Sequence, residues 1–254
     1  MRTDSPEQIA FVENLPLPAP GLVHAGRAFA GPLRPAMRGL STATSDGQQS
    51  AYVAKGSLVS FVAGVAHAAR ADVLDALLFA QLGADARFDR ERDFDRWHRF
   101  HMIIMDNVGW TVEARDCDPP ALERFTIGEL GLALLHANAS GVERSLARSA
   151  LAAAQRGMPP VFDESSHSAG AGCFHIGTCV QLGKRIETTL MCINFHTSLR
   201  VAHLMNQVFD RRTTKLGASI YRCSLDLSAH APVAQRIRAS LADNVAVFVH
   251  ELAL

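Results

Sequence analysis

The spacing of apolar and polar positions changes period several times along this chain. From Gly56, the residues Leu58, Phe61, Val62 and Val65 recur at helical spacing and predict a first helix. A second follows, with Asp72 as its cap, Val73, Leu74, Leu77 and Leu78 on its buried face, and Gly83 where a left-handed C-terminal residue belongs. Arg87 to Arg99 alternates in charge sign and leads into a third helix carrying Trp97, Phe100, Ile104 and Met105, with a solvated polar face and a stop at Gly109. Trp110 to Ala114 alternates like a short strand. Thr126 with Glu129, and Ser140 with Glu143, have the spacing of capping boxes, which predicts helices over about Ile127 to Ala137 and Gly141 to Arg156. Asp163 to Gly172 reads as a flexible loop.

The period then falls to two. Gly170 to Ser198 reads as a β-hairpin in which Leu182-Gly183-Lys184-Arg185 forms a type II′ turn, because Gly at the first central position takes positive φ without a Cβ clash. Pairing Leu182 with Arg185 sets Phe174 opposite Ile193 and Ile176 opposite Met191, an apolar ladder on one face. The other face then sets His175 opposite Cys192 and Cys173 opposite Asn194. Ala202 to Phe209 and Ser219 to Leu225 read as two further strands joined around Arg211 to Thr214. The closing segment carries Pro232 in a first helical turn and a continuous stripe of Val233, Ile237, Leu241, Val245 and Phe248.

Helices, then strands, then a helix predict an α+β fold, with an N-terminal helical layer packed on a four-stranded antiparallel meander and a C-terminal helix. Six of the eleven prolines fall within the first 35 residues, so residues 1–50 are expected to be a proline-rich extended arm and residues 51–254 a single domain.

Composition narrows the setting. Of 254 residues, 25 are basic and 25 acidic, so no net field favours nucleic acid or acidic lipid. Neither a signal-peptide core nor a charge-free membrane span is visible, and five cysteines without zinc-ribbon spacing suit reduced thiols. The expected location is cytoplasmic, or exported without a cleavable signal peptide.

Candidate chemistry gathers on the hairpin. Gly177 to Arg185 superficially resembles a phosphate loop, but it has one residue too many between its glycines, Arg where a hydroxyl is needed, and no helix to receive a phosphate. Cys173, His175 and Cys192 could hold a tetrahedral metal, with Asn194 or His167 completing the set; Cys179 stands roughly 20 Å from Cys173 along a strand and cannot join them. Small thiols packed on a half-buried face are the plainer account. Cys192 with His175 could also form a nucleophile and base, although nothing identifies an oxyanion hole. Asp95, His98 and His101 recur at i, i+3 and i+6, but successive members drift around the helix axis, so a solvated face with His101 beside Trp97 is the better reading. The pattern implies no cofactor.

The segments Tyr52 to Ala84, Trp97 to Trp110 (WHRFHMIIMDNVGW), FTIGELGLALL and FDESSHSAGAGCFHIGTC together resemble a family of bacterial and fungal proteins of unassigned function, over about residues 51–254. The resemblance implies a shared domain and, by association with scattered occurrence, a toxin-like, defence or interaction protein. The function expected first is a non-enzymatic protein that binds a protein partner or forms a homo-oligomer through its sheet, because an open meander leaves edges to pair. The alternative is a small thiol-dependent hydrolase or acyl-carrying protein using the Cys/His pair. A weaker one is lipid or membrane engagement by the apolar helices.

Overall fold

The computed structural model describes residues 5–18, 47–136, 138–168 and 170–254. In chain order the elements are α1 (Ser5–Asn14), β1 (Ser50–Ala54), β2 (Ser57–Phe61), α2 (His67–Asp85), α3 (Phe94–Asn107), β3 (Trp110–Cys117), β4 (Arg124–Phe125), α4 (Ile127–His136), α5 (Gly141–Gly157) and α6 (Pro160–Ser166). They continue with β5 (His167–Ser168), β6 (Ala171–Leu182), β7 (Arg185–Thr197), β8 (Phe209–Asp210), β9 (Thr214–Asp226), α7 (Leu227–Leu241), α8 (Asn244–Phe248) and β10 (Val249–Leu252).

The β6–β7 hairpin forms the middle of the sheet, in the register its turn dictates. Gly183 takes φ +61° while Lys184 keeps a negative φ, as a type II′ turn requires. Leu182 pairs with Arg185, Phe174 with Ile193, Ile176 with Met191, His175 with Cys192 and Cys173 with Asn194. The two faces of β6 meet different layers. Phe174 meets Phe162 of α6 edge to face, Ile176 lies against Gly131 of α4, and the Thr178 hydroxyl donates to Glu143 of α5. One residue out of phase, His175 stacks on Trp97 and His101 of α3. The sheet therefore separates α4, α5 and α6 from α3, which packs with α2; α7 packs on α2, and α1 on α7.

The α+β class holds, but the expected four-stranded meander does not. Among the described residues the main sheet has eight strands in the order β10-β1-β2-β6-β7-β9-β3, with β5 beside β6. It is mixed, because β2 runs parallel to β6. The stretch expected to open the first helix is β2. All its residues and all those of β1 are buried, and a strand covered on both faces reads as a short apolar run without alternation, which periodicity cannot separate from a helix segment.

Other expectations shift for local reasons. Asp72 caps nothing, since α2 begins at His67; its carboxylate pairs instead with Arg238 of α7. Residues Pro160–Ser166, placed partly in a loop, are helical from a proline at the first position, and His167 and Ser168 then pair back onto β6. The strand expected over Ala202 to Phe209 is a 3₁₀ turn at Leu204–Asn206 followed by β8, whereas the next strand is longer than expected, as β9. The closing stripe is cut at Ala242, where φ is +43°, into α7, α8 and an edge strand. Within the expected arm, Ser5–Asn14 is helical, with Val12 buried and Glu13 paired to Arg236 at 3.3 Å; residues 19–46, and Ala137 at the expected end of α4, lie outside the described residues.

Both capping boxes form. Ser140 Oγ accepts from the Glu143 amide while Glu143 accepts from the Ser140 amide, and Thr126 with Glu129 repeats the exchange. Each such cap stabilises its helix by about 1 kcal/mol. No described helix is long and apolar enough to cross a membrane.

The α2–α7 interface makes a pH-dependent prediction. Burial raises the Asp75 carboxyl to about 6 from 3.8, although Arg238 at 3.4 Å opposes the shift. The folded protein therefore keeps a proton that the unfolded chain has lost between these values, so this group's stabilisation is present at low pH and lost as pH rises through about 6. In urea titrations from pH 4 to 6, the stability of Asp75→Asn should fall less with rising pH than that of the parent, by up to about 1.4 kcal/mol per pH unit. Parallel curves would contradict this.

Candidate metal centre

Three elements supply the sulfur and imidazole groups that meet on one face of the hairpin. Strand alternation aims Cys173 and His175 of β6 to the same side, antiparallel pairing brings Cys192 of β7 beside His175, and α3 lays Trp97, His98 and His101 across them. The His98, His175 and Cys192 ligand atoms all lie within 4.8 Å of one another. Cys192 Sγ is 3.9 Å from His98 Nδ1 and 3.8 Å from Cys173 Sγ. Cys173, His175 and Cys192 are each 1% exposed, and His98 is half-buried.

Each histidine of the trio is held by one ring nitrogen. His175 Nδ1 shares a 3.1 Å hydrogen bond with the Ser57 hydroxyl, because the parallel register sets Ser57 of β2 beside His175. Its Nε2 is buried without a hydrogen-bond partner among the described residues. His98 Nε2 shares a short hydrogen bond with the Tyr221 hydroxyl of β9, which leaves Nδ1 toward Cys192. His101 differs. Its ring contacts those of Trp97 and His175, with centroids 5.1 and 5.2 Å away, in a three-ring cluster closed by Trp97 and His175 at 6.0 Å, and neither of its nitrogens has a partner among the described residues.

Beside this cluster lies a buried charge network. Lys55 occupies the β1–β2 turn at φ +54° and reaches Asp85 at 2.5 Å. Trp97 Nε1 donates to Asp85 at 2.7 Å, and Arg90 lies 4.2 Å over the Trp97 ring while donating to Gln81 and to the Ser165 carbonyl. Gly56 leaves the room for this guanidinium, since a Cβ there would collide with it.

The electrostatics follow from burial. His175 and His101 are pushed well below the ordinary imidazole range by desolvation and by neighbouring imidazoles and Arg90, so both are neutral. The Cys173 thiol and burial hold Cys192 well above the ordinary thiol range, more than offsetting Arg90. Desolvation lowers Lys55 against the pull of Asp85. It would raise Asp85, but Arg90 and Lys55 outweigh it, so the carboxylate is ionised. A protonated, enclosed thiol is a poor nucleophile, whereas neutral imidazoles and thiols converging in a dry site suit a metal ion, which deprotonates a coordinating thiol outright.

The residues read from sequence divide accordingly. Cys173, His175 and Cys192 are together. Asn194 turns against Gly217 of β9. His167 shares its face with Gly172 and so points away from Cys173, lying instead near Asp163 in a cavity of about 690 Å³. Cys179 packs on Thr188, its thiol raised by burial to about 12. Asp95 is exposed. His98, read as part of a solvated face, is the residue the sequence reading missed, as are Ser57, Tyr221, Lys55, Asp85 and Arg90. The usable signal was Trp97-His98 followed by His101, which places imidazoles beside an apolar stripe.

Comparison with protein-family models, curated proteins and solved structures finds no match to this chain, so the resemblance noted over residues 51–254 gains no support from them.

Removing one member of the charge network leaves its partners buried and uncompensated. Asp85→Ala should cost about 3 to 5 kcal/mol in urea unfolding, and Lys55→Met in that background should recover part of the loss. Additive losses would show that the pair is not coupled.

Proposed function

We propose that this chain is a metal-binding protein whose ion is held between α3 and the central hairpin by His98, His175 and Cys192. The observation that carries this reading is the state of the two histidines. Each has one ring nitrogen fixed by a hydroxyl, Tyr221 or Ser57, while the other is turned toward the Cys192 sulfur or left without a partner. Metal-bound histidines have this arrangement, because the outer hydrogen bond sets the tautomer and aims the lone pair. Imidazole and thiolate together favour a borderline-to-soft ion such as Zn²⁺ over Mg²⁺ or Ca²⁺.

Purified full-length protein, stripped with chelator and titrated with Zn²⁺ under native mass spectrometry, should take up one ion per chain. Ser57→Ala and Tyr221→Phe should each weaken binding by about 10- to 100-fold while leaving the fold unchanged by circular dichroism. Unchanged affinity in both variants, or no uptake by the parent, would count against the assignment.

A second reading, self-association, is favoured by the sheet edge. β3 has eight residues and, among the described residues, pairs only with β9, whereas β10 at the other edge has four. A long open edge presents unpaired backbone groups, which a second copy of the chain can satisfy. Native mass and gel filtration should report a dimer that Thr111→Lys with Glu113→Lys converts to monomer. A parent protein that is already monomeric at micromolar concentration would remove this reading.

A further inference from the structure

Resting on the metal-binding reading, we propose that Cys173 is the fourth ligand, so that the site is a closed two-histidine, two-thiolate tetrahedron holding a structural Zn²⁺-class ion, with no position open for substrate. Three observations converge on this. First, the Cys173 and Cys192 sulfurs are 3.8 Å apart, and two thiolates at about 2.3 Å from a tetrahedral zinc are separated by about 3.8 Å. The two cysteines reach this spacing as diagonal neighbours on one sheet face, with the backbone of both strands already fixed by the hairpin register.

Second, charge balance calls for two thiolates. The core beside the site already holds Lys55 and Arg90, paired with the Asp85 carboxylate, and Glu91 also acts on Lys55. A divalent ion with one thiolate would add another buried positive charge, whereas two thiolates make the ion and its ligands neutral, and an uncompensated buried charge costs several kcal/mol. Third, the competing neighbour lacks the support that a ligand needs. His101 has neither ring nitrogen anchored, unlike His98 and His175, and its ring is fixed by contacts with both the Trp97 and His175 rings. It serves as a neutral aromatic wall.

Loading then has a definite proton balance. For each thiol that coordinates, one metal–sulfur bond forms and one S–H bond breaks, so two protons leave to solvent for each divalent ion bound. The ion ties β6 and β7 to α3 through His98, so its binding energy stabilises the contact between helical layer and sheet.

The test uses the full chain and Co²⁺ as a spectroscopic stand-in for Zn²⁺. The parent should bind one Co²⁺, release two protons to a pH indicator, and show intense four-coordinate d–d bands with a thiolate charge-transfer band that does not respond to added azide. Cys173→Ser should release one proton, retain roughly half the charge-transfer intensity, and respond to azide through its opened position. X-ray absorption at the zinc edge of the parent protein should count two sulfur scatterers, and this readout stands even where the variant fails to fold. One sulfur, or identical proton release and spectra in parent and Cys173→Ser, would overturn the assignment of Cys173 while leaving metal binding intact. No cobalt or zinc uptake by the parent would overturn both.

Discussion

The alternation of side chains along two paired strands is the constraint on which this molecule depends. Once Gly183 turns the chain and Leu182 meets Arg185, every residue of β6 and β7 is assigned a face, because a pleated strand reverses direction at each step. Phe174, Ile176, Met191 and Ile193 go to the layer of α4, α5 and α6, while Cys173, His175 and Cys192 go to the layer of α3. A slip by one position would bury the thiols and imidazole against Phe162 and the α4 layer and send the aliphatic ladder toward Lys55, Asp85 and Arg90. Both layers therefore select the same register.

The polar face is the costlier of the two. It holds three imidazoles, two thiols and the Lys55, Asp85 and Arg90 charges, all buried or nearly so except for half-buried His98. The charges offset one another through the Asp85 carboxylate, with Trp97 linking the network to the imidazole stack. Burial lowers His175 and His101, and the Cys173 thiol with burial raises Cys192, so these two imidazoles are neutral and the Cys192 thiol is protonated. Fold stability and the proposed metal site thus draw on the same residues. The positive φ of Lys55, rare for a residue with a side chain, is tolerated where the turn delivers its ammonium to Asp85.

Much of the scaffold was legible locally. The two capping boxes, the Gly183 turn, the hairpin register and the apolar face of α2 are decided by interactions within a few residues or by one repeating period, and these formed where the residues specify them. Of the candidate ligands, Cys173, His175 and Cys192 followed from that register. His98 did not, because on α3 it belongs to a run of alternating charges that looks solvated until the helix is laid against the sheet; Arg90 in the same run is buried for the same reason.

What the sequence determined alone was therefore the set of short-range decisions: where helices start, where the hairpin turns, and which sulfur faces which imidazole across it. What only the tertiary structure decided was which strands became neighbours and which helix covered each face. β2 became a strand because a parallel place beside β6 buried both of its faces, and Ser57 met His175 only through that pairing. His98 and Tyr221 were brought together across 123 positions of sequence by the docking of α3 on the sheet. The physical reason is one of range: a turn or a cap is settled by the energies of adjacent residues, whereas the docking of one layer on another depends on the summed burial of whole faces, which no local pattern contains.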